Sequence, residues 1–110
     1  DDLGSAIDDA RFDAEVRAIV VRSASEKFFS AGADVAMFAR TDPEYQWAFV
    51  VHANEVMSKF ERTAKVVTAV IGGHCLGGGL EIALCCDFRI AAEGSYRIGL
   101  PEITLGLLPG

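Results

Sequence analysis

Lys65-Val66-Val67-Thr68-Ala69-Val70-Ile71-Gly72-Gly73, running on through His74-Cys75-Leu76-Gly77-Gly78-Gly79-Leu80-Glu81-Ile82-Ala83-Leu84-Cys85-Cys86, is the stretch on which the fold turns. Its first part is rich in β-branched residues. Centred on Val66, Val67, Val70 and Ile71, it predicts a buried strand over residues 65–71, ended by Gly72-Gly73. Its last part, residues 78–86, is short and almost wholly apolar, which predicts a buried helix. Strand, glycine stop and helix in that order belong to an α/β fold rather than a helical bundle.

The same alternation extends outward. Leu3, Ala6, Ile7 and Ala10 recur at helical spacing, so residues 1–11 read as the end of an amphipathic helix. Val16-Arg17-Ala18-Ile19-Val20-Val21 reads as a second buried strand. A polar turn follows over residues 23–27, after which Phe28 and Phe29 re-enter the core. Residues 30–34 form a tight small-residue segment in which Gly32 permits backbone geometry closed to other residues. A short helix is expected over residues 35–39. Thr41 or Asp42 then caps a long helix, with Pro43 in its first turn and its end near Arg62. Val50, Met57 and Phe60 suggest its covered stripe. Beyond Cys86, strands are expected at residues 88–91 and 95–98 with a turn at Glu93-Gly94, and residues 102–105 lead into a turn at Gly106. No internal sequence repeat, linker or low-complexity tract is visible.

The chain has 110 residues, a net charge of −6 and 51% hydrophobic residues. The acidic balance argues against a broad nucleic-acid surface, which needs clustered Lys and Arg. No apolar run approaches the roughly 18 residues of a membrane span. No basic segment followed by an apolar one marks the amino end as a signal peptide. Cys75, Cys85 and Cys86 are odd in number and apolar in setting, which reads as reduced, buried thiols. His52 and His74 show no metal-ligand spacing with them, so no metal is expected. The high apolar fraction, the missing initiator methionine and the ends at Asp1 and Gly110 read as an internal fragment with surfaces made to be covered.

Two segments carry chemistry. Gly77-Gly78-Gly79 lacks the Lys-Ser or Lys-Thr of a nucleotide P-loop and the spacing of a dinucleotide loop. It suits either a carbonyl approaching a glycine backbone beside free helix amides, or tight packing between a strand end and a helix. Glu81 lies in an otherwise apolar helix. It is either a cap or an Arg89 partner, or a carboxylate in a partly dry pocket with its pKa raised toward neutrality. Glu102, beside Pro101, is either a surface acid at a turn or a second acid of the same site. Asp34 and Asp87 suit bonds to backbone amides. Cys75 reads as a small core residue rather than a nucleophile.

These stretches together resemble the enoyl-CoA hydratase/isomerase, or crotonase, superfamily. The matching segments are Phe29-Ser30-Ala31-Gly32-Ala33-Asp34, His74 to Glu81, Cys86-Asp87-Phe88 and Gly99-Leu100-Pro101-Glu102-Ile103, followed by Leu105-Gly106 and Pro109-Gly110. The resemblance spans nearly the whole chain. It implies an α/β crotonase-like (ClpP/crotonase) fold of repeated β-β-α units. Residues 1–110 would be a partial catalytic domain, with an early strand before Asp1 and carboxy-terminal helices after Gly110. It assigns the backbone amides of Ala33 and Gly78 to an oxyanion hole for a thioester carbonyl, where two fixed donors stabilise developing charge. Glu81 would activate water for attack at C3, and Glu102 would protonate C2. Ala31, Asp34, Val35, Gly77 and Pro101 would contact substrate.

Retention of both glutamates favours an enoyl-CoA hydratase. An isomerase or decarboxylase using the same oxyanion hole, and a non-catalytic acyl-CoA-binding or scaffold protein, are the alternatives. The resemblance implies no metal and no cofactor, coenzyme A entering only as part of the acyl-CoA substrate. It further implies a homotrimer or dimer of trimers, in the cytoplasm or the mitochondrial matrix. Relatives often carry a basic residue at Ala36, proline at Val66 and asparagine at Gly72. Met37, Phe38, Trp47 and Phe49 read as core residues or as determinants of the acyl pocket.

Overall fold

The computed structural model describes residues 2–110. Along the chain run α1 (Asp2–Phe12), β1 (Ala18–Arg22), β2 (Phe28–Ser30), α2 (Val35–Phe38), α3 (Pro43–Arg62), β3 (Val66–Ile71), β4 (His74–Leu76), α4 (Gly78–Leu84), β5 (Phe88–Ala91), β6 (Ile98–Gly99) and a 3₁₀ helix (Pro101–Leu105). The first strand of each β-β-helix unit enters one parallel sheet, ordered β1-β3-β5, and the second enters another, ordered β2-β4-β6. Three successive units thus stack as turns of one spiral. Parallel neighbours require such crossovers, because a tight turn cannot reverse the chain between them.

The units differ enough in sequence that their repetition is visible only in space. β4 was not expected, because three residues between Gly72-Gly73 and Gly77 carry little strand signal. It forms because the chain steps from one sheet to the other across those glycines. A methyl group at Gly73 would stand 2.5 Å from the Lys27 carbonyl oxygen, and the His74 N–H donates to that oxygen at 3.0 Å. β1 begins two residues later than the expected strand, since the Val16 N–H is engaged in a turn with the Asp13 carbonyl. The last strand shifts similarly, to Ile98–Gly99.

The core is small: Ile7, Val56, Phe60, Val67, Ala69, Ile71, Cys75, Ala83 and Cys86 are buried. Alternation along β3 points Val67, Ala69 and Ile71 inward. The outward face leaves Val20, Val66, Val70, Phe88 and Ile90 exposed. The stripe of α3 that meets the core is Val56 and Phe60 rather than Val50, Met57 and Phe60. Val50 is exposed, and Met57 is half-buried. Trp47 is 70% exposed, so the core reading does not hold for it. Asp42, of the two expected caps, accepts from the Tyr45 N–H at 2.8 Å. α4 is only partly buried, through Gly79 and Ala83, whereas Leu84 is exposed. Gly79 lets α4 lie directly on β2: a methyl there would stand 2.6 Å from Ser30 Cβ and 2.7 Å from its carbonyl oxygen.

Candidate active site

Because β2, β4 and β6 run parallel, their carboxyl ends open on one side of the sheet. Each exit carries a special residue. After β2 comes Gly32 with φ +89°, and after β4 comes Gly77 with φ +52° and ψ −130°. After β6 the chain turns through Pro101 into the 3₁₀ helix that bears Glu102. Positive φ reverses the chain sharply at the first two exits, which aims the following amides at one another's strand end. A methyl at Gly32 would stand 3.1 Å from the Gly78 nitrogen, and one at Gly78 would stand 3.9 Å from the Ala33 nitrogen. Among the described residues, neither the Ala33 nor the Gly78 N–H has a hydrogen-bond acceptor. Two converging free donors of this kind suit one carbonyl oxygen that gains charge.

The exits open into a cavity of about 380 Å³. Ala31, Ala33 and Val35 line it from the first exit, and Gly77, Gly78 and Glu81 from the second. Pro101 and Glu102 line it from the third. Asp34, the remaining residue expected to contact substrate, does not line it. Its Oδ1 instead accepts from the Ala36 and Met37 amides at 2.9 and 3.0 Å, capping α2. That cap holds the segment carrying Ala33 from behind. Phe49, Ala53 and Met57 present one apolar face of α3 to the cavity. Phe49 therefore fits the pocket reading, while the Phe38 side chain lies outside the described residues.

Glu81, one turn inside α4, reaches the same space as Glu102. A methyl at Gly77 would stand 2.7 Å from Glu102 Oε1, and one at Gly78 would stand 3.6 Å from Glu81 Oε2. Glu81 Oε1 and Glu102 Oε2 are fully buried and have no donor among the described residues. Each is free to accept from a molecule in the cavity. Burial pushes the Glu81 carboxyl above its ordinary range. The Gly110 N–H opposes that shift, and the charge of Glu102 adds to it. Arg89 does not pair with Glu81. Its Nη1 donates to the carbonyls of Ala83, Leu84 and Cys86 at the end of α4. Asp87 Oδ2 accepts from the Val67 N–H at 2.8 Å, the backbone-bonding role expected of it. Cys75 is fully buried, and burial raises its thiol pKa, in keeping with a core residue. No cluster of three metal-ligating side chains exists among the described residues.

Sequence reasoning missed the close approach of Gly110 to Glu81, where a methyl would stand 3.3 Å from Oε1. Leu105, Leu107 and Leu108, which close the cavity beside it, were missed too. No local pattern signals this, because the segment follows a 3₁₀ helix and returns only through the αL turn at Gly106.

The raised Glu81 pKa predicts a stability effect. Between pH 4.5, its ordinary value, and its higher folded value, the folded chain binds more protons than the unfolded one. Stability contributed by this group therefore falls as pH rises through that window. Glu81→Gln is expected to unfold at higher urea than the parent at about pH 7 and at the same urea at about pH 4. An equal difference at both pH values would contradict the burial argument.

The family model for enoyl-CoA hydratase/isomerase matches residues 1–110. The chain belongs to this family. It is 39% identical over 111 residues to a probable enoyl-CoA hydratase of Bacillus subtilis, covering 100% of the chain and 42% of that protein. It is 41% identical over 98 residues to the short-chain-enoyl-CoA hydratase of Clostridium acetobutylicum, covering 89% of the chain and 37% of that protein. Among solved structures, the enoyl-CoA hydratase of Bacillus anthracis superimposes with a TM-score of 0.91 at 38% identity, covering 99% of the chain and 42% of that structure. The fold of this family member is thus the crotonase-like α/β spiral. The chain spans less than half the length of these relatives.

Proposed function

We propose that the protein carrying this chain is an enoyl-CoA hydratase, adding water reversibly to a trans-2-enoyl-CoA to give a 3-hydroxyacyl-CoA. The observation that carries this reading is the pair Glu81 and Glu102 in one cavity, each with a buried oxygen free to accept, beside the free amides of Ala33 and Gly78. The amides hold the thioester oxygen and stabilise the enolate as negative charge moves onto it. Glu81, made more basic by burial, orients a water and takes its proton as oxygen attacks C3. Glu102, entering as the acid, gives its proton to C2 from the same side. The proton on Glu81 then returns to Glu102, which restores the starting state. Ala31, Val35, Gly77 and Pro101 border the bound thioester, and the apolar face of α3 borders the acyl chain. Relatives named as hydratases support the assignment. The whole protein is read as a homotrimer or dimer of trimers in the cytoplasm or the mitochondrial matrix.

The test is loss of the enoyl-thioester absorbance of crotonyl-CoA in the presence of the full-length protein, with 3-hydroxybutyryl-CoA identified as product. Double-bond migration without water addition would move the assignment to an isomerase. Tight acyl-CoA binding without turnover would move it to a binding protein.

A further inference from the structure

β6 is two residues long and lies at the edge of its sheet, so β4 is its sole strand neighbour among the described residues. The Cys75 N–H donates to the Arg97 carbonyl at 2.9 Å, and the Gly77 N–H donates to the Gly99 carbonyl at 3.0 Å. One further bond comes from a side chain. The Arg97 N–H donates to His74 Nδ1 at 3.0 Å, which continues the ladder one step beyond its backbone bonds. The His74 ring is held against Phe28 of β2, with centroids 5.2 Å apart. The imidazole therefore spans all three strands of the sheet at the end opposite the cavity. What it secures is the segment that runs through Gly99, Leu100 and Pro101 into Glu102.

We propose that His74 is a positioning residue for Glu102, its unprotonated Nδ1 setting the register of β6 on β4. This rests on the hydratase reading, in which Glu102 delivers a proton to C2. A backbone N–H can only donate, so Nδ1 must carry a lone pair and the ring proton must lie on Nε2. An imidazolium has no acceptor and cannot make this bond. On the β2 side the His74 N–H donates to the Lys27 carbonyl, and Lys27 Nζ lies 5.4 Å from the Phe28 ring centroid.

The experiment compares the full-length parent with His74→Leu and His74→Asn. The Asn Oδ1 stands where Nδ1 stands and accepts without titrating. Leucine keeps the shape and loses the acceptor. Hydrogen exchange is read in the peptide containing Arg97 to Glu102, beside kcat and KM for crotonyl-CoA. His74→Leu is expected to exchange faster there and to lose about 10-fold to 100-fold in kcat, the scale of a misplaced catalytic group. Its KM stays within about twofold, since the amides that hold the thioester are untouched. His74→Asn is expected to restore protection and most of kcat. On acidification, once the Nδ1 lone pair is taken up by a proton, the parent loses protection in this peptide and His74→Asn does not. The titration of Glu81 is common to both proteins and drops out of the comparison.

Unchanged exchange in His74→Leu, an Asn variant that behaves like Leu, or identical pH responses of parent and Asn variant would each overturn the proposal. If His74→Leu fails to fold, the parent and Asn pH profiles decide alone. A parent that adds no water to crotonyl-CoA would instead overturn the hydratase reading, and the exchange data would still judge the tether.

Discussion

Glu102→Gln is expected to lower kcat for crotonyl-CoA hydration by about 10²-fold to 10⁴-fold, the usual contribution of a positioned proton donor. The carboxamide keeps the shape and one acceptor oxygen but has no acidic proton for C2. Glu102 borders the cavity from the third strand exit, whereas the free amides of Ala33 and Gly78 come from the first two. Affinity for a non-reacting acyl-CoA should therefore stay within a few-fold of the parent. A drop in kcat/KM that came wholly from KM would show that Glu102 binds substrate uniformly and is not the acid. Glu81→Gln should lower kcat on the same scale while stabilising the fold at neutral pH. Opposite signs for activity and stability at one position are what a buried functional carboxylate predicts.

Gly77→Ala is expected to damage both stability and turnover, and the reason is purely geometric. Its φ of +52° with ψ of −130° is a conformation that side chains rarely adopt, worth about 1–3 kcal/mol of strain. The added methyl would also press on Glu102 Oε1 at 2.7 Å, so the carboxylate must leave its place. A displacement of that size near reacting atoms costs about 10²-fold in kcat. Urea unfolding and steady-state kinetics on the same protein measure the two effects. Gly106→Ala is the control. Gly106 has φ +69°, and a methyl there meets nothing within 4 Å. It should lose comparable stability by strain alone while turnover stays near that of the parent. Equal losses of turnover in both variants would mean that Gly77 acts through stability and not through Glu102.

Much of this was legible in the chain because the signals were local. The valine-rich run of β3 has a strand's composition over its whole length, and Asp42-Pro43 marks the start of α3 by two independent physical preferences. The suspicion attached to Glu81 also came from its immediate neighbours, since a carboxylate among Leu80, Ile82, Ala83 and Leu84 has no local explanation. β2 could be read equally as strand or loop, and β4 was illegible as a strand, for the opposite reason. Each is three residues long, and each exists because a neighbouring strand supplies its hydrogen bonds. Val50 and Met57 were misassigned to the core because periodicity identifies an apolar face without saying whether protein or cavity lies against it.

By itself, the sequence determined where strands and helices alternate, where glycine clusters interrupt them, and that Glu81 lacks a solvated setting. These depend on backbone sterics and near neighbours. Only the tertiary structure decided that three strand exits converge, that the Ala33 and Gly78 amides face one space, and that Glu81 and Glu102 border it together. It also decided that the tail at Gly110 returns to Glu81. Those contacts join segments distant in the chain, and the convergence of the exits follows from parallel pairing, which places all strand ends of one kind on one side of a sheet.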